Sequence, residues 1–172
     1  PAATTHWVWE ARTGGWFQEV FANTNHDPIC CVQFDGNTSD DRTALIGSWD
    51  GYVRQLDSAA TTDDGTNIAS EVYLGPLNSA NSETITLKYA QALLATGSGS
   101  VTYAIHVGAT AEAAFASTAV QTGTWTSSRN LNTLLRRSGH AIYIRVTATS
   151  QWACEQFICT LEGRGLVFRR GR

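Results

Sequence analysis

Aspartates, histidines and tryptophans are the residues of this 172-residue chain whose types could do chemistry if the fold gathered them. Asp35, Asp40, Asp41, Asp57, Asp63 and Asp64 crowd two polar stretches, and hard cations bind carboxylates in such loops. Calcium loops, however, space their ligands in a tight D-x-D-x-D-G rhythm that does not occur here, so solvated turn residues are expected. His6, His26, His106 and His140 stand among different neighbours, with no pair at metal-ligating or catalytic spacing. Surface imidazoles are expected, with His106 on the polar face of its strand. A G-x-S-x-G elbow and a phosphate loop are both missing, and the GSGS run at 97–100 reads as a hairpin connection. No catalytic residue, metal ligand or cofactor is assigned, and no enzymatic activity is expected.

The aromatic and basic residues point to binding instead. Trp7, Trp9, Trp16, Trp49, Trp125 and Trp152 offer faces that could stack on sugar rings, although large aromatics bury more often than they stay exposed. Core packing is expected for most of them. Trp7 and Trp9, two apart, share one strand face, as do Tyr52 and Arg54, and either pair makes a binding patch if exposed. Arg164, Arg169, Arg170 and Arg172 crowd the last nine residues, an arm suited to phosphates or to acidic protein surfaces. Cys30, Cys31, Cys154 and Cys159 show neither zinc spacing nor the density of a disulfide scaffold. Strand neighbours and residues five apart point to opposite faces, so buried or half-buried free thiols are expected.

The elements that must position these residues are strands. Of the chain, 42% is hydrophobic and only 16% charged, against about 25% in an average soluble domain, which excludes a disordered chain. There are 22 threonines, 11 arginines and a single lysine, Lys88, so surface polarity must come mainly from hydroxyls and amides. No apolar run approaches the roughly 18 residues of a membrane span, and no secretion signal opens the chain. Residues 1–72 carry eleven acids against three arginines, net −8, and residues 73–172 four acids against nine bases, net +5. That shift adjoins the polar run Ser58–Asn67, which reads as a linker and predicts two parts, 1–66 and 67–172.

In the first part, HWVWEA and WFQEVF flank a glycine turn at Arg12–Gly15, Ile29–Phe34 follows, and two strands meet at Asp50-Gly51. About five short antiparallel strands are predicted over 6–57, with nothing helical. In the second part, TITLKYA places Ile85, Leu87 and Tyr89 on one face, VTYAIHV places Val101, Tyr103, Ile105 and Val107 inward, and HAIYIRVTA does the same with Ile142, Ile144 and Val146. Further strands are predicted at 69–74, 131–136, 152–161 and 166–169, with one helical turn at Ala111–Ala116 after Thr110. The predicted class is all-β: propeller-like antiparallel strands followed by a β-sandwich of jelly-roll type.

The segment ALIGSWDGYVRQLD is similar to the strand pair that recurs once per blade in PQQ-type and WD-like β-propellers; here it occurs once. Around it run Thr13-Gly14-Gly15-Trp16, the loop Thr62-Asp63-Asp64-Gly65-Thr66, Leu74-Gly75-Pro76, then Trp152-Ala153-Cys154-Glu155 and the arginine tail. This order resembles the C-terminal part of structural proteins of tailed bacteriophages, in which a propeller precedes a β-sandwich. The resemblance implies a virion protein of the tail or nozzle, assembled in the host cytoplasm. Its partners would be copies of itself in a ring and other virion proteins, and it would guide genome exit in passing contact with viral DNA. A single blade leaves both faces uncovered, so the part beginning at Pro1 is expected to be completed by missing chain or by neighbours. Acidic loops along a DNA passage would keep the polyanion from sticking. The alternative from another class is a carbohydrate- or receptor-binding β-sandwich module that takes a host surface glycan.

Overall fold

Alternating apolar and hydroxylated residues form strands along most of this chain. The computed structural model describes residues 5–21, 23–38, 42–57, 59–78, 84–131 and 133–164. The chain divides into two units, Pro1–Ile68 and Ala69–Arg172. Every strand pairing is antiparallel, and among the described residues no sheet closes on itself.

In the first unit, β1 (His6–Glu10) and β2 (Gly15–Glu19) form a hairpin, and β3 (Pro28–Asp35), β4 (Arg42–Ser48) and β5 (Val53–Leu56) form a three-stranded sheet. Two local features depart from expectation. A 3-10 turn at Thr24–His26, started by the Asn23 side chain accepting from the Asn25 amide, stands where nothing helical was predicted. The run read as a linker folds in part into a small hairpin, β6 (Thr62–Asp63) and β7 (Thr66–Asn67). Asp64 and Gly65 both take positive φ, as a tight hairpin turn of two residues demands, and aspartate followed by glycine meets that demand. Little of this unit is buried: among the described residues Ile46 is its one large apolar side chain that is buried.

The second unit holds the core. Strands β11 (Gln121–Trp125), β10 (Val101–Gly108), β14 (Ala141–Ala148) and β8 (Ser70–Asn78) pair in that order. In the other sheet β9 (Thr84–Leu94) runs between β15 (Cys154–Arg164) on one side and β12 (Ser128–Arg129) and β13 (Thr133–Gly139) along the other. Ile85, Leu87 and Leu94 of β9 meet Val101, Ile105, Ile142 and Ile144 of the first sheet in one apolar cluster, with Tyr103 stacked on Trp125 at 4.5 Å. Two sheets sharing one core is a sandwich-like arrangement. The strand β11 carries no alternating signal, since QTGTW has one large apolar residue, and the predicted strand at 166–169 lies outside the described residues.

Alternation fails in one instructive place. Ile85 and Leu87 point into the core as expected, but Tyr89 does not; Ala90, Ala92 and Leu94 do. Lys88 faces two residues of β13, Leu135 and Arg136, and is itself the extra residue against β15. One inserted residue reverses the facing of everything beyond it. A second bulge, in β8, puts Gly75 and Pro76 opposite Tyr143, with Gly75 at φ 145°. The predicted helical turn is α1 (Ala111–Phe115), capped by the Thr110 hydroxyl accepting from the Ala113 amide at 3.1 Å. It lies so close to β10 that a Cβ on Gly108 would stand 2.3 Å from the Ala114 nitrogen.

Candidate functional site

Residues of the first unit that carry charge converge on its central turn. Gly51 takes φ 82° after Asp50, and the turn returns the chain as β5, which places Arg54 over Asp50. The guanidinium meets the carboxylate through two bonds, 3.0 and 2.6 Å, and reaches Asp64 at 3.4 Å. His26 lies against the same group, its ring nitrogens 3.8 Å from Asp50, 3.9 Å from Asp63 and 3.6 Å from Asp64. Hydrogen bonding to Arg54 holds the Asp50 carboxyl down to about 2, against the opposing effect of burial, and Asp50 raises the Arg54 guanidinium in turn. The cluster thereby ties the β6–β7 hairpin to the β3–β5 sheet. The serine beside it, Ser48, donates to the His26 carbonyl oxygen at 3.0 Å. Among the described residues no group of three or more His, Cys, Asp or Glu is arranged to hold a metal ion. Asp63 is thus a half-buried partner in this cluster and not the solvated turn residue expected, whereas Asp64 keeps its expected exposed place in the turn while reaching Arg54 and His26; Arg54 is engaged with Asp50, although it also lies over the Tyr52 ring at 5.8 Å.

The apolar faces of this unit are open. Trp7 and Trp9 share a face of β1, and Trp16 joins them because it stands opposite Trp9 across the hairpin, with ring centroids 6.4 Å apart. Their exposures are 59%, 54% and 67%. Core packing, expected for most tryptophans, holds for Trp125, and Trp152 is half-buried with its indole N–H donated to Ser70 at 2.8 Å. Trp49, in the turn after β4, is exposed with the other three. On the three-stranded sheet the cross-strand rows Cys30/Gly47/Val53, Val32/Leu45/Gln55 and Phe34/Thr43 make up one face, on which Val32, Phe34 and Val53 are each more than half exposed. Tyr52, under the Arg54 guanidinium, is 69% exposed. Cys30 and Cys31 in this unit, and Cys154 at the start of β15 in the second, are exposed, contrary to the buried or half-buried thiols expected; Cys159 is half-buried as expected, and burial pushes its thiol up.

In the second unit, His106 keeps its expected face but not its expected exposure. It stands on the outer face of β10, yet it is 6% exposed, because α1 and the residues after it cover that face. Its Nδ1 lies 2.8 Å from the Ser117 carbonyl oxygen and its ring against Tyr73, which in turn packs on Phe115 and on Tyr143, the cross-strand partner of His106. Of the four histidines only His140 is exposed. Beside this cluster Arg145 pairs with Glu71 at 2.5 Å, which holds the Glu71 carboxyl below its usual range. Arg164 ends β15, its backbone paired with Thr84, while Arg169, Arg170 and Arg172 lie outside the described residues. No helix among the described residues is long and apolar enough to cross a membrane.

No protein-family model matches the chain, and no curated protein sequence matches it.

Proposed function

We propose that this chain is a structural assembly component whose first unit covers its apolar faces against other copies of the chain. The observation that carries this is the face of the β3–β5 sheet on which Val32, Phe34 and Val53 are each more than half exposed. Isolated sheets of two or three strands are marginal in water unless one face is covered, and contiguous apolar patches mark contact surfaces. The charge division, net −8 over residues 1–72 against net +5 over 73–172, favours a neighbour of the same kind set head to tail, a contact that makes a ring where its rotation closes.

The order of turns and strands that resembles tailed-phage structural proteins gives the assembly its setting: the tail or nozzle of a virion, a propeller-like part followed by a jelly-roll-like sandwich, and a ring through which the genome leaves. Acidic loops on such a passage would repel DNA and let it move.

Equilibrium sedimentation of the chain over a range of concentrations tests the assembly. Species heavier than 18.6 kDa are expected, and Phe34→Ser should weaken association by roughly tenfold, the effect of about 1.4 kcal/mol, without altering the circular dichroism of the monomer. A monomer at every concentration would overturn it and leave the tryptophan face of β1–β2 to the rival function, carbohydrate recognition.

A further inference from the structure

Neither the core nor the assembly proposed above makes use of the cleft on the outer side of the β9 sheet, where two irregularities coincide. Thr86, Lys88, Tyr89, Leu134, Arg136 and Ser138 line it, with Glu162, around a volume of about 380 Å³, within the range of small-ligand sites. The bulge at Lys88 sets consecutive residues, Lys88 and Tyr89, on the same cleft, which a regular strand cannot do. Opposite them Arg136 takes φ 48°, a left-handed backbone that is unfavourable for a residue with a long side chain and that glycine or asparagine would adopt with less strain. Strain kept at a bulge beside a concavity is a mark of a binding site. The Arg136 guanidinium is exposed and makes no ion pair among the described residues, whereas Lys88 is held by Glu162 at 2.7 Å.

The lining sorts ligands by chemistry. An anion has Arg136 to pair with; hydroxyls have Glu162, Lys88 and the Thr86–Ser138 hydroxyl pair, 2.8 Å apart; and a flat aliphatic ring has Tyr89 and Leu134, both more than a third exposed. Inorganic phosphate would leave the apolar wall idle. A neutral sugar would leave Arg136 without its partner. We propose that this cleft binds a carboxylated sugar ring, a uronic-acid unit of an acidic polysaccharide, through its carboxylate on Arg136 and its ring against Tyr89.

Titration of the full chain followed by amide NMR tests this, with a glucuronate-containing oligosaccharide, a neutral glucose oligosaccharide of the same length and inorganic phosphate as probes. The glucuronate probe should shift Lys88, Tyr89, Arg136 and Ser138, and bind at least tenfold tighter than either of the others. Arg136→Asn should lose that margin while its melting temperature stays level or rises, since asparagine tolerates the left-handed backbone. Equal binding of the neutral sugar or of phosphate, no shift at these residues, or a lowered melting temperature in Arg136→Asn with unchanged binding would each overturn the assignment. None of these outcomes depends on whether the chain self-associates.

Discussion

Asp50 illustrates how one residue's surroundings set its behaviour. Its carboxylate receives two bonds from Arg54 and one from the Tyr52 amide at 3.1 Å, so its proton is held off down to about 2, below the 3.8 of an unrestrained aspartate. In the unfolded chain the group binds its proton at higher pH, so stability rises with pH across that interval. The clamp contributes fully above about pH 4 and is lost as pH falls towards 2. The Tyr52 amide resonance should titrate with a midpoint near 2 and not near 3.8, and Asp50→Asn should abolish that titration. A midpoint near 4 would mean that the bidentate pair does not persist in solution. Only part of this cluster can be read along the chain. Asp50-Gly51 announces a turn, but His26 and Asp64 join it through loops whose return paths carry no periodic signal. The shared face of Trp7 and Trp9 follows from strand period alone, whereas adding Trp16 requires the hairpin register, which a turn at Arg12–Gly14 followed by Gly15 fixes only once the pairing Glu10↔Gly15 is known.

At the scale of elements, period-two patterning identifies β10 and β14 with their inward residues, because both lie in the interior of their sheet, one face on the core. It fails in β9 and at His106 for different reasons. A bulge is a single insertion whose position depends on two partner strands, and nothing in TITLKYA marks Lys88 as the extra residue. The burial of His106 comes from α1, an element of the same unit that folds over the polar face of the sheet; alternation tells which side a residue faces, not what covers that side. The layer that does follow the pattern should carry the stability. Ile144 is fully buried between its neighbours in the core cluster, and Ile144→Ala should cost about 2–5 kcal/mol of unfolding free energy, read from urea denaturation of the second unit's signal. A loss within about 0.5 kcal/mol would place that residue outside a packed core.

For the whole molecule, the two units differ in what holds them together. The second buries Leu87, Leu94, Ile105, Ile142 and Ile144 almost completely, while the first, among its described residues, relies on strand hydrogen bonds, the small cluster at Arg54 and little apolar burial. Local stability follows buried apolar contact, so the first unit should open at a lower free energy than the second. If the first unit is completed by neighbouring copies, its protection must depend on concentration, since association stabilises only the form that binds. Hydrogen exchange at two concentrations, one well below and one well above the association midpoint, makes this visible. The amides of β4 and β5 should exchange rapidly in the dilute sample and become protected by at least tenfold in the concentrated one, while β9, β10 and β14 remain slow in both. Equal protection of β4 and β5 on dilution would mean that the unit closes its own apolar faces, and the case for assembly through the Val32–Phe34–Val53 surface would then fail at its physical premise.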